Sequence, residues 1–288
     1  MSHHDEQFGA APRGGSAAND RHRLRIDLAY DGAGFHGFAE NVGVRTVAGD
    51  LRVSIEQVAR QPVELICAGR TDAGVHAVGQ VVTFDVDGPS PELDGLRNAL
   101  NALLGPRIAV RSVVAVPEDF DARFSACWRR YRYDVLDDEV PDPFTDARSW
   151  WVRERLDVAA MNRAAQILVG EHDFSSFCRR PRHSPEVSLV RRVHAAAWTR
   201  HDDPSSVAPR LSTFEIVASA FCHQMVRSIV GTLVKVGRGR MSEEQVAELL
   251  GARARDGAPP LAPPRGLTLW EVGYEPWDQS PSGELAEQ

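Results

Sequence analysis

The chain has 288 residues, enough to bury a sizeable core as one large domain or two subdomains; 43% are apolar and the formal net charge is -7. That charge argues against a general nucleic-acid binder and makes any nucleic-acid footprint a matter of a local excess of cations. No stretch approaches the roughly 20 apolar residues of a membrane span or forms the apolar run of a signal peptide, so a cytoplasmic protein is expected.

Residues 1–21 and 276–288 are polar, lack periodicity and read as disordered tails, the second one acidic. Between them LRIDLAY alternates as a strand through Leu24, Ile26, Leu28 and Tyr30, DGAG turns the chain, and Val47, Leu51, Ile55 and Val58 recur at helical spacing. VELICA and QVVTFDV read as strands on either side of GRTDAGVHA. Leu96, Ala99, Leu100 and Leu103 mark a helix that stops before Pro106, and IAVRSVVAV closes the set as a strand. This β-α-β-β-α-β order is ferredoxin-like, with helices on one face of a mostly antiparallel sheet.

The second half repeats the scheme more loosely. Strand WRRYRYDVL precedes a helix striped by Val158, Met161, Ala165 and Leu168 and capped by Asp157. Strands SLVRRVHAAAWTR and RLSTFEIVASA follow, then a helix running from Phe221 through Met225, Ile229, Leu233 and Val236. A Ser242/Gln245 capping box opens another helix that ends near Gly251, and TLWEVGY is the final strand. Two ferredoxin-like halves, 22–120 and 121–275, joined edge to edge predict an α+β fold with one continuous mixed, mostly antiparallel sheet and a central cleft.

The densest polar cluster runs from Gly69 to His76, between two apolar strands, a mount that would hold a reactive carboxylate such as Asp72 in place. From spacing alone, Asp72-Ala73-Gly74 reads first as an Asx-turn with Arg70 as a solvent-screened partner, and His76 as a structurally satisfied histidine. Lys235 is the single lysine among 33 basic residues, and the arginines cluster at Arg123, Arg129, Arg130 and Arg132 and again at Arg179, Arg180 and Arg182 in the basic loop RRPRHSPEVS. Such segregation permits a basic face on an acidic protein. Cys67, Cys127, Cys178 and Cys222 stand singly and read as reduced, mostly buried thiols. A metal-dependent hydrolase using Glu171, His172, Asp173 and His183 or His194 is disfavoured, because three adjacent residues of a regular element cannot all face one ion.

CAGRTDAGVHAVGQVVTF resembles the signature of the tRNA pseudouridine synthase A family. The likeness continues in order through YDGAGFHGF, DFDARFSACWRRYRY, GEHDFSSF, AFCHQMVRSIVGTLVKVGRG and PPRGLTLWEVGY, across roughly residues 22 to 275. The resemblance implies the pseudouridine synthase fold and an isomerase acting on uridines 38, 39 and 40 of the tRNA anticodon arm. It implies Asp72 as the catalytic carboxylate, Arg70 as its ion-pair partner and Tyr131 as the ring packed on the target base. It further implies His223 and Arg227 in the cleft, Leu267 and Leu269 as an apolar wall under the base, and a homodimer. Arg130, Arg132, Arg179 and Arg180 are candidate contacts to the tRNA backbone. Substrate and product are isomers, so no cofactor, redox carrier or metal is expected. The chain departs from the family's usual run at Phe38, Ala39, Glu40, Ala48, Cys222 and Gln224, which bears on RNA contacts and leaves GRTD and RYRY intact. The competing reading is a non-catalytic tRNA-binding protein on the same fold.

Overall fold

Alternation along β1 (Arg21–Tyr30) sends Leu24, Ile26, Leu28 and Tyr30 into the core, while Arg23 and Asp27 occupy the other face. The computed structural model describes residues 21–180, 186–201, 210–255 and 260–280. Helix α1 (Val47–Ala59) is capped by the Thr46 hydroxyl, which accepts from the Gly49 amide, and it buries Val47, Leu51 and Ile55. The two-residue β2 (Ile66–Cys67) leads into β3 (His76–Asp87), then α2 (Leu93–Leu104) and β4 (Ile108–Ala115). In α2 the buried stripe is Leu96, Leu100 and Leu104; Leu103, expected inside, is 45% exposed, because the face that docks follows strict i, i+4 spacing.

The second half contains β5 (Trp128–Asp137), β6 (Trp150–Val152), α3 (Val158–Gln166), β7 (Gly170–Asp173), β8 (Val190–His201) and β9 (Leu211–Ala218). It continues with α4 (Met225–Gly237), α5 (Glu243–Ala252) and β10 (Leu267–Gly273). Asp157 caps α3 and the Ser242/Gln245 box caps α5, both as the sequence predicts. Helix α4 starts at Met225 and not at Phe221. Gln224 has a φ of 67°, a left-handed conformation that cannot propagate a right-handed helix, and a turn closed by the Met225 amide on Cys222 O precedes α4. Apolar on nearly every side, α4 is buried almost throughout.

One ten-stranded sheet runs β4-β1-β3-β10-β5-β9-β8-β7, with β2 paired to β3 and β6 to β5. Each half therefore has the ferredoxin-like order: β4-β1-β3-β2 in the first and β10-β5-β9-β8 in the second, with β7 added beyond β8. The strands β6 and β7 are additions that apolar periodicity does not reveal, since both are short. No helix among the described residues is long and apolar enough to cross a membrane. Of the expected tails, residues 1–20 and 281–288 lie outside the described residues, as do Arg182 and His183. Trp277, in the segment read as a tail, packs edge-on against Trp128 at 5.1 Å and stacks on His194 at 6.0 Å.

The two halves meet where β3 and β10 run parallel, Thr268 opposite His76 and Leu269 opposite Ala77. Gly79 permits this approach: a Cβ there would lie 2.4 Å from the Trp270 carbonyl oxygen. Backbone cannot give way as a flexible side chain can, so Gly79→Ala is expected to destabilise the protein by at least about 2 kcal/mol, measured as a lowered urea midpoint.

Candidate active site

Between β2 and β3, the segment Ala68 to Val75 is tied down at almost every residue. The Ala68 amide donates to Val81 O at 2.9 Å, and Gly69 O accepts from Gln80 Nε2 at 2.7 Å. The Thr71 hydroxyl bonds the buried Tyr30 hydroxyl at 2.8 Å, and Thr71 O accepts from the Phe38 amide. The Val75 amide closes a turn on Asp72 O, with Gly74 at a φ of 76°. Gly32 and Gly37 allow the first loop to lie against this turn, since a Cβ at Gly32 would sit 2.1 Å from Val75 O and one at Gly37 2.9 Å from Thr71 O. Asp72 is thus carried on a rigid turn, the condition a positioned carboxylate needs.

Its side chain is 23% exposed, open at one edge. Oδ2 accepts from Arg227 Nη1 at 2.9 Å, and Oδ1 lies 3.4 Å from His223 Nε2. Arg227, only 14% exposed, also donates from Nε to Ala262 O, while its own carbonyl accepts from the Ala262 amide. The ion-pair partner of Asp72 is therefore Arg227, and not Arg70 as expected. Arg70 is exposed and makes no hydrogen bond or ion pair among the described residues. His223 reaches Asp72 from the turn before α4, so the two residues converge without sharing a helix face.

Tyr131 on β5 lies close enough to Asp72 for the carboxylate's charge to act on its phenol. Burial is the larger influence and pushes the phenol well above its ordinary value, so it remains protonated. The Tyr131 ring meets Phe221 edge-on at 5.0 Å, and its hydroxyl stands 3.8 Å from where a side chain on Gly69 would begin. Leu269 pairs opposite Tyr131 and Leu267 opposite Tyr133, both leucines buried on the same face of the sheet. Tyr133 itself is structural, its hydroxyl donating to Pro263 O at 2.7 Å.

Strand alternation separates the arginines of β5. Arg130 and Arg132 point to the face opposite Tyr131, where Glu215 engages both, at 3.2 and 2.7 Å, and Glu271 approaches Arg130 at 3.5 Å. Arg132 also stacks on Trp270 at 3.8 Å. These two do not face Asp72. Arg129, by contrast, is buried on the Tyr131 face and donates to the carbonyls of Ala68, Arg123, Ala126 and Ser219 at 2.7 to 3.3 Å. It binds the base of the Asp72 loop to two other segments. The period-two run Arg129, Tyr131, Tyr133 carried that signal, although arginine is read as a surface residue by default. The Arg179 amide donates to His223 O at 2.9 Å, and Arg180 reaches the Ser175 hydroxyl.

The residues considered for a metal have other partners. Glu171 pairs with Arg192, His172 donates to Val169 O, and Asp173 accepts from the Ser175 hydroxyl. Of the cysteines, Cys178 is buried, Cys67 and Cys222 are half-buried, and Cys127 is exposed, contrary to expectation.

The sequence profile of the tRNA pseudouridine synthase family matches residues 28–125 and 164–275. The chain is 43% identical over 258 residues to a tRNA pseudouridine synthase A of Frankia casuarinae, covering 88% of this chain and 90% of the relative. It is 40% identical to that of Leifsonia xyli, covering 88% and 91%, and 39% identical to that of Moorella thermoacetica, covering 87% and 99%.

His76 follows the turn and joins three segments: Nδ1 accepts from the Gly32 amide at 3.1 Å and Nε2 donates to Arg265 O at 3.1 Å. Burial lowers its pKa below the ordinary 6.5, outweighing the opposing pull of Asp31, so the ring is neutral. The unfolded chain takes up that proton more readily than the native one, and stability should fall as pH drops below about 6.5. Thermal midpoints of the wild type should decline through that window, and a His76→Gln variant should show a shallower decline.

Proposed function

This chain belongs to the tRNA pseudouridine synthase family, isomerases that convert uridine in tRNA to pseudouridine, and from that premise we propose that it acts on uridines 38, 39 and 40 of the anticodon arm with Asp72 as its catalytic carboxylate. The observation that carries the assignment is the convergence of Arg227 and His223, both far from it in sequence, on one partly exposed carboxylate whose charge also reaches the Tyr131 phenol. It acts in the cytoplasm, as a homodimer.

The reaction breaks the bond from uracil N1 to ribose C1′, turns the base and makes a bond from C5 to the same carbon. The uridine must first leave its stack, which costs a few kcal/mol and is offset by contacts to the backbone. Asp72, oriented by Arg227, then lies beside C1′, where a carboxylate can stabilise or trap the electron-poor sugar or take a proton from it. Tyr131 covers the base, a contact of about 1 to 3 kcal/mol that retains the detached uracil while it turns. Leu269 backs that ring. The isomer is completed when C5 gives up its proton and N1, freed from C1′, takes one up; the Tyr131 hydroxyl lies near that path, and because burial disfavours the phenolate it accepts one proton only as it gives up its own.

Incubation of unmodified tRNA with the protein, followed by mapping of pseudouridine, tests this directly. Asp72→Asn should lower product formation by roughly a thousandfold or more with tRNA affinity within about threefold of wild type. Equal product from both proteins would remove Asp72 from the mechanism, and no product from either would favour the non-catalytic tRNA-binding reading. Tyr131→Phe should retain tRNA binding but turn over about a hundredfold more slowly; wild-type turnover would exclude the hydroxyl from proton transfer.

A further inference from the structure

Beside the Asp72 cluster opens a pocket of about 530 Å³ whose lining includes Arg179, Arg180, Arg253, Arg255 and Gln224. It abuts the active site through the backbone, because Gln224 follows His223 directly and the Arg179 amide donates to His223 O at 2.9 Å. Four guanidinium groups in one cavity repel each other, so an arrangement of this kind is favourable only with a negative charge among them. The acid Asp173 is engaged by the Ser175 hydroxyl and amide at 2.6 and 2.9 Å, and the charges of Arg253 and Arg180 act on it. Arg179 and Arg253 make no ion pair among the described residues. Arg255 donates from Nη2 to Gln224 Oε1 at 2.8 Å, and its Nη1 is enclosed without a hydrogen-bond partner among the described residues. An enclosed, unsatisfied guanidinium nitrogen is costly unless a ligand completes it.

Backbone conformation supports the same location. Among the described residues three non-glycine positions have positive φ, and two of them, Gln224 and Arg253, line this pocket. Arg253 ends α5 in a left-handed conformation that glycine adopts without strain.

We propose that this pocket is a subsite for a backbone phosphate of the RNA strand that carries the target uridine. The assignment rests on the tRNA substrate proposed above and adds Arg253, Arg255 and Gln224 to the residues that meet it. Planar guanidinium forks match phosphate oxygens two at a time, and the pocket's place next to His223 fixes the strand's register relative to Asp72.

Affinity of the full-length protein for unmodified tRNA, measured across about 50 to 200 mM salt, tests the subsite. Arg253→Gln and Arg255→Gln should each weaken binding at least about fivefold and reduce the slope of log affinity against log salt by about one. Arg111→Gln, an exposed residue of β4 at the far edge of the sheet, should change neither. Arg253→Lys keeps the charge and should restore the slope; a slope as shallow as that of Arg253→Gln would mark a structural role and overturn the proposal. Wild-type affinity and slope in both glutamine variants would also overturn it, even while pseudouridine forms. Conversely, tight binding that the glutamine variants weaken, without product from the wild type, would sink the synthase reading and leave the subsite standing.

Discussion

The contact between Asp72 and Arg227, 155 residues apart, is the interaction on which the site depends. A carboxylate on a turn of the first half meets a guanidinium on a helix of the second, and each charge loses much of its water in doing so. Neither is well placed alone, because a partly buried charge without its partner costs several kcal/mol. The surrounding structure serves this meeting. Parallel pairing of β3 with β10 sets the halves in register, Arg129 fixes the base of the Asp72 turn, and the Ala262 carbonyl fixes the far side of Arg227.

Much of this was legible in the residues themselves. Period-two alternation located β1, β3, β5 and β9, helical spacing located α1, α3 and α4, and the cap signals of Asp157 and Ser242 were correct to the residue. Local spacing cannot report which distant group completes a site. Arg70 stands two residues from Asp72 and takes no part in its ion pair, while Arg227 does. The start of α4 was misplaced because hydrophobic spacing extends through Phe221, whereas the left-handed Gln224 breaks the helix before Met225. Arg130 and Arg132 were grouped with Arg129 by proximity in sequence, although a strand sends neighbours to opposite faces.

The arginine-rich composition also takes on a different meaning. A count of 33 basic residues in an acidic protein invites a search for an RNA-binding surface, yet several arginines are committed to internal structure. Arg129 gathers four backbone carbonyls, Arg200 neutralises the fully buried Asp137, and Arg23 grips Asp85 with both sides of its fork. A planar group with five donors can satisfy several buried acceptors at once, which an ammonium cannot do as well. Charge available to a ligand is therefore a matter of which guanidinium groups remain uncommitted, and not of their number.

The position of β10 in the middle of the sheet has a consequence for how the protein is made. Synthesis delivers Asp72 well before Leu267–Gly273, yet that later strand is the one inserted between β3 and β5. Until it emerges, one flank of β3 lacks its neighbour and is exposed to wrong pairing with other nascent chains. A truncated product released before β10 lacks the joint between the halves, so the parallel pairing that holds Asp72 in register with Arg227 cannot form.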